Sequence, residues 1–212
     1  MRMRKKKNLV PRLERCEDVT IQNPAELRGA WRTLQPDARK ICLEIGCGKG
    51  RFITTLAAQN PDILYVALER EKGAIVMAME KVKAQELTNV RFIIGDAAEL
   101  CDYFADGEID DIYVNFCDPW TKRHREKRRL THRNFLALYR RIMKPDGHFY
   151  FKTDNVELFD FSEAELPDFG MELLTVTRDL HATGIPNIMT EYEERFSSQG
   201  VKINYIEAVF KQ

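Results

Sequence analysis

No apolar run in the 212 residues approaches the roughly 18 needed to cross a bilayer as a helix, which argues against a membrane-spanning helix. The basic opening MRMRKKK leads into NLVPRLERCED, with neither an apolar core nor a cleavage site, so no secretory leader is expected. Cysteines 16, 42, 47, 101 and 117 are odd in number and contain no C-x-x-C pair. A closed disulfide framework is therefore disfavoured, and a reducing cytoplasm is expected. Histidines 124, 132, 148 and 181 lack paired spacing and Cys or Asp partners, so no metal site is expected. No Ser-His-Asp or Cys-His arrangement stands out, and there is no internal repeat, low-complexity tract or clear interdomain linker.

The chain also lacks an excess of either charge: 33 Lys and Arg balance 33 Asp and Glu. That average hides an asymmetry along the sequence. Residues 1–7 carry five basic groups and residues 122–129 carry six against one acid, whereas residues 154–177 hold seven acids and no Lys or Arg. What the chain does contain is a soluble composition, 44% hydrophobic and 31% charged, long enough for one full α/β domain with a sizeable core.

From Lys40 onward short apolar runs alternate with helical stretches, the pattern of repeated βα units and a mostly parallel sheet. Strands are predicted at KICLEI (40–45), ILYVALE (63–69), VRFII (90–94), DDIYVNF (110–116) and HFYFKT (148–153), with two more around 171–179 and 202–210. The last is entered without room for a full crossover, so an antiparallel edge strand is expected. Helices are predicted over 71–86 and 132–143, the second stopped by Pro145 and Gly147. Asn23 as N-cap and Pro24 at the first helical position predict a short helix over 24–34, ended by Pro36.

The stretch LEIGCGKGRF places Glu44 at a strand's end and Gly46, Gly48 and Gly50 in the turn before a helix. Glycine there lets a backbone approach a ligand and adopt positive φ. The third glycine of a dinucleotide fingerprint would fall at position 51, which is Arg51, so an NAD pyrophosphate is disfavoured. Glu69 ends the second strand, at a distance suited to a carboxylate on ribose hydroxyls, and Asp96 follows the third strand, where an adenine amine could be read. Acids at three consecutive strand ends converge on the crevice where open α/β sheets bind ligands. The loop lacks the Lys-Ser/Thr of a phosphate cradle, so the ligand implied is a nucleoside without a polyphosphate.

On these residues the chain resembles the class I S-adenosylmethionine-dependent methyltransferases. The resemblance implies a Rossmann-like fold with a seven-stranded, mostly parallel sheet and helices on both faces. It places the glycine loop under the amino-acid moiety of S-adenosylmethionine, Glu69 at the ribose, Asp96 at the adenine, and Glu44 near the methionine end. The fourth strand then ends in NFCDPW, where Pro119 holds Asp118 extended and Trp120 offers a ring face. The basic run TKRHREKRR follows at once, suited to a phosphate backbone.

Taken with ER at 69–70, GDA at 95–97, FKTDN at 151–155 and TEYEERF at 190–196, this arrangement resembles the bacterial tRNA (guanine-N7-)-methyltransferase family from about residue 25 to 210. That resemblance implies Asp118 as catalytic carboxylate, also beside the cofactor, and implies substrate contacts from Lys122, Asp154, Thr190, Tyr192 and Glu193. It makes His124, Arg125, Glu126, Lys127, Arg128 and Arg129 the RNA-interaction stretch, with tRNA as partner and S-adenosylhomocysteine as product. Residues 1–36 are then a basic arm and short helix before a methyltransferase domain over 37–212, in a monomer or homodimer. Cys117 and Thr121 stand where the family usually has Pro or Ser, and Pro, which bears on the stiffness of the loop. Two other readings stay open: a methyltransferase acting on another RNA base or a protein side chain, and a non-catalytic RNA-binding module that has kept the cofactor fold.

Overall fold

The computed structural model describes residues 8–211, so the basic arm over 1–7 lies outside the described residues. Seven strands form one sheet in the order β3-β2-β1-β4-β5-β7-β6. These are β1 (Lys40–Ile45), β2 (Ile63–Glu69), β3 (Val90–Ile94), β4 (Ile109–Asn115), β5 (Met143–Thr153), β6 (Met171–Thr177) and β7 (Asn204–Phe210). The first five pair in parallel, and β7 pairs antiparallel with both β5 and β6. Antiparallel pairing is thus confined to one edge of the sheet; the last strand is antiparallel as expected, but it lies inside the edge, which is formed by β6.

Alternation within the strands feeds two cores. Ile41, Leu43 and Ile45 of β1 and Leu64, Val66 and Leu68 of β2 enter one cluster, while Cys42, Tyr65 and Ala67 enter the other. Both faces of the central strands are covered, which is why they read as nearly continuous apolar runs. Helices α2 (Arg51–Gln59) and α3 (Lys72–Ala84) contribute Ile53, Ile75 and Met79 to the second cluster, and α1 (Leu9–Glu14) packs on α3. On the first cluster lie α4 (Leu100–Tyr103), α5 (Arg133–Ile142) and α6 (Val156–Asp168), through Leu100, Leu136, Tyr139 and Phe159. A last helix, α7 (Glu191–Ser197), stands beyond the ends of the strands. No helix among the described residues is long and apolar enough to cross a membrane.

Two expectations are corrected here. The helix over 24–34 is instead a pair of 3-10 turns, Pro24–Leu27 and Trp31–Leu34, broken at Gly29, whose φ is +81°. Asn23 makes no cap bond. The Glu108 carboxylate accepts from the amides of Gly29 and Trp31 at 2.9 and 3.0 Å, capturing donors that a continuous helix would need. Trp31 is fully buried and its indole donates to the carbonyl of Tyr103, so this segment is part of the main core. The second correction concerns β5, which begins at Met143 and not at 148. Its Lys144–Gly147 stretch bulges out between the pairs Ile109–Met143 and Asp111–His148.

Candidate active site

Because β1 to β5 are parallel, their C-terminal ends open on one side and bring the loop chemistry together. The turn after β1 runs through Gly46 and Gly48, both at positive φ, and a Cβ added to either would meet nothing within 4 Å. These two glycines line open space, the shape a ligand needs if it is to lie against the backbone. Gly50 differs. It is the left-handed N-cap of α2, and a Cβ there would collide with the Cβ of Ala78 on α3. The absence of a side chain at Gly50 therefore also serves close packing of α2 on α3. Gly50→Ala is expected to lower the melting temperature by several degrees in a thermal scan, whereas Gly48→Ala strains only the loop's φ and acts mainly on cofactor affinity measured by calorimetry.

Glu44, the last but one residue of β1, is 2% exposed. Its Oε1 accepts from Asn115 Nδ2 at 3.1 Å, while its Oε2 is buried with no partner. Burial pushes this carboxyl up to about 7 against the lowering effect of the Asn115 bond. Glu69, at the end of β2, accepts from the amides of Gly48 at 3.1 Å and Glu71 at 2.8 Å, and so fixes the glycine turn against the second strand. Asp96, after β3, caps a 3-10 turn by accepting from the Ala98 amide at 3.0 Å. Arg70 lies 3.7 Å from its other oxygen.

The corner after β4 carries backbone strain at both ends: Phe116 and Trp120 sit at φ +53° and +43°, a left-handed conformation costly for bulky residues. Between them Asp118 is exposed, while Cys117 is half-buried and its thiol is pushed up to about 12 by desolvation, which makes it a poor nucleophile. The basic run forms a 3-10 turn over Arg123–Arg128. Lys122, His124, Arg125, Lys127 and Arg128 are exposed, Glu126 is half-buried, and the guanidinium groups of Arg125 and Arg128 lie 5.8 and 5.0 Å from the Trp120 ring centre.

Arg129 departs from its neighbours and from the sequence expectation. It is 2% exposed and donates from Nε to the carbonyl of Pro119 at 2.9 Å and from a terminal nitrogen to Glu157 at 2.7 Å, over the ring of Phe161. It buttresses the strained corner from behind and presents nothing to RNA.

The residues from the last motif gather opposite this corner. Tyr192 donates to Asp154 Oδ2 at 3.3 Å, and its ring stacks on Phe196 and tilts against Phe116. Thr190 caps α7, accepting from the Glu193 amide at 2.9 Å in a capping box. Glu193, expected to touch substrate, is fully buried, and both its oxygens are engaged. One accepts from Asn187 and lies 2.8 Å from His181 Nε2, and the other accepts from Lys152 at 2.8 Å. Burial alone would raise Glu193, but Lys152 and the other donors hold it below the usual carboxylate range. With these bonds both Glu193 oxygens face groups of the protein itself.

Lys152, Asn115, Lys81 and Arg51 were not singled out from the sequence. Lys152 had a signal, a lysine inside the apolar strand HFYFKT. Lys81 pairs with Glu191 and Arg51 with Glu194, so α7 is tied across the crevice to the two helices that follow the glycine turn and β2.

Residues 38–206 match a protein-family model described as "Putative methyltransferase". The chain is 43% identical to a tRNA (guanine-N(7)-)-methyltransferase of Lactococcus lactis subsp. cremoris over 99% of its own length and 98% of the relative's. It is 44% identical to the protein of that name from Streptococcus mutans, over 99% of this chain and 100% of the relative. Among solved structures, a 16S rRNA methyltransferase matches with a TM-score of 0.68 at 17% identity, covering 87% of this chain and 94% of that one. An Aquifex aeolicus SAM-dependent methyltransferase matches at 0.60 and 14% identity, covering 93% and 98%.

A sheet of this order with an open glycine turn and acids at consecutive strand ends defines a class I S-adenosylmethionine-dependent methyltransferase. The buried, unpartnered Glu44 Oε2 and the empty space over Gly46 and Gly48 fit that cofactor. Within the class, the full-length identity assigns the chain to the tRNA (guanine-N(7)-)-methyltransferase family.

Proposed function

We propose that the protein methylates N7 of guanine in tRNA, at the variable-loop position conventionally numbered 46, and that it works in the cytoplasm. The observation that carries this reading is the placement of Asp118. It is an exposed carboxylate on a strained corner after β4, the strand paired in parallel with the β1 that leads into the glycine turn, and the exposed cations Lys122, Arg125, Lys127 and Arg128 follow it in the chain.

The bound cofactor supplies an electrophilic sulfonium methyl. Guanine N7 has an in-plane lone pair and no proton to lose, so the chain needs no obligatory general base. Its work is positioning and charge stabilisation. Asp118 accepts from guanine N1–H and the exocyclic amine, which fixes the base and offsets the positive charge that develops on it. Glu69 and Asp96 hold the ribose and adenine ends, while Gly46, Gly48 and Glu44 shape the methionine end. Asp154 and Tyr192 border the guanine on the far side, and Lys122, His124, Arg125, Lys127 and Arg128 meet phosphate.

Transfer of labelled methyl to a tRNA transcript, with N7-methylguanosine mapped at nucleotide resolution, tests this reading. A transcript carrying 7-deazaguanosine at position 46 is expected to accept no methyl. Continued methylation of that transcript would reject the assignment of the target atom.

Glu44 adds a pH dependence. In the free protein its carboxyl is neutral below about 7, and pairing with a cofactor ammonium would require the ionised form. Affinity should therefore rise with pH, by up to about tenfold per unit below that value, pass through a maximum and fall again as the cofactor's α-amino group loses its proton near about 8. Calorimetry from pH 5.5 to 8.5 should also show release of a proton on binding. A flat profile would remove Glu44 from the contact. For folding the sign is opposite. The raised carboxyl makes the native state bind more protons than the unfolded chain, so this residue's contribution to stability falls as pH rises from about 4.5 to about 7.

A further inference from the structure

Lys152 sits in β5 directly beside Asn115, the last residue of β4, in the sheet register. Its side chain is 4% exposed, and all three ammonium donors are used: Glu193 Oε2 at 2.8 Å, Asn187 Oδ1 at 2.9 Å and the carbonyl of Ile188 at 2.9 Å. Its own carbonyl accepts from the amide of Phe116 at 2.8 Å, the first strained residue of the Asp118 corner. The Phe116 ring in turn meets Tyr192. One residue thus touches the corner through its main chain and the start of α7 through its side chain.

Apolar packing does little to hold the chain between 180 and 190. The cluster beneath it contains only three buried residues, Leu180, Ile203 and Tyr205. Beside it lies a cavity of about 540 Å³ whose walls include Lys152, Asn187 and Ile188. A buried ion pair is seldom the most stable filling for such a place. An apolar pair of similar volume is often neutral or stabilising, whereas loss of one partner alone is strongly destabilising. What the pair supplies that an apolar pair cannot is direction, because Lys152 and Glu193 between them specify the place of Asn187, Ile188, His181 and the cap of α7.

We propose that Lys152 is a positioning residue for methyl transfer: through Glu193 it sets where α7 presents Tyr192 against Asp154, opposite Asp118. This deepens the function proposed above and rests on it for the identity of the base. It differs from the role the family resemblance implies for Glu193, because Glu193 acts here through Lys152 and never meets the guanine.

The test compares the full-length protein with the double variant Lys152→Met/Glu193→Leu, in which both charges leave together and the site stays filled. The melting temperature and S-adenosylmethionine affinity are expected to stay close to wild type, since neither the glycine turn nor Glu69 is altered. The single-turnover rate on tRNA should fall about 10²-fold, the size expected of a misplacement near 1 Å. The tRNA dissociation constant should stay within about threefold, because the basic segment is intact. Amide exchange over residues 185–197, measured without tRNA, should accelerate at least tenfold while β1 to β4 stay protected. Glu193→Gln leaves the Lys152 ammonium buried without its counter-charge, so it should lower the melting temperature as well as the rate, unlike the double variant.

A double variant with wild-type turnover and wild-type exchange over 185–197 would overturn the proposal. So would a Glu193→Gln variant with wild-type melting temperature and wild-type exchange but a lowered rate, the mark of a direct contact to the base. The exchange experiment contains no RNA, so it judges the placement of α7 whatever the substrate proves to be. An inactive wild type would count against the substrate reading alone.

Discussion

Asp118→Ala is expected to lower the single-turnover rate of methyl transfer by about 10²- to 10³-fold, the cost of removing a pre-organised electrostatic group from a site where charge develops. The side chain is exposed, and among the described residues no hydrogen bond or ion pair engages its carboxylate. Nothing internal is lost with it, so the stability change should stay within about 0.5 kcal/mol and the melting temperature within about 2 °C. Asp118→Asn sharpens the test. It keeps the size and one acceptor but faces the guanine donors with an amide NH2, and it carries no charge. It should lose nearly as much rate as the alanine variant. An Asn variant close to wild type would mean that shape alone matters at this corner, and an Ala variant close to wild type would remove Asp118 from the chemistry.

The second large effect is on RNA affinity. Each neutralised phosphate contributes about 0.7–0.9 to the logarithmic salt dependence. The variant Lys122→Ala/Arg125→Ala/Lys127→Ala/Arg128→Ala, which removes four exposed cations, should therefore reduce that slope by about 3. Filter binding or fluorescence anisotropy between 50 and 300 mM salt reads it directly. Arg129→Ala provides the contrast. Arg129 is as basic as its neighbours, but its guanidinium is buried on Pro119 and Glu157. It should leave the slope unchanged, destabilise the fold by roughly 1.5–3 kcal/mol for its charge-assisted bond to Glu157, and slow methyl transfer by loosening the corner. A slope unaltered in the quadruple variant, or one lowered by Arg129→Ala, would contradict the division of this segment into an outer RNA face and an inner buttress.

That division shows where reading the sequence succeeds and where it stops. KICLEI, ILYVALE and VRFII are strands with the bounds their apolar runs suggest, because a strand buried on both faces carries its own signal. The turn at Gly46 and Gly48 and the acids Glu69 and Asp96 are legible for a similar reason, since a strand end and a positive-φ turn are local properties. The expected helix over 24–34 failed because Glu108, distant in sequence, takes the amides at Gly29 and Trp31. Arg129 could not be separated from Arg128 by composition, and nothing local in TEYEERF marks Glu193, expected to touch substrate, as the buried partner of Lys152.

By itself, then, the sequence determined the class of sheet, the nucleoside-binding end of its strands and the adjacency of Asp118 to a basic run. Each of these is written in the order and spacing of neighbouring residues. Only the tertiary structure decided which charged groups face outward. Burial turned Arg129 into a brace, Glu193 and Lys152 into an internal pair, and Gly50 into a packing contact with Ala78. The physical reason is that a charge keeps its solvent or gives it up according to partners from other elements: Pro119 and Glu157 for Arg129, and Asn187 and Ile188 for Lys152. Those partners lie 10 to 36 residues away along the chain and become neighbours only when the sheet closes.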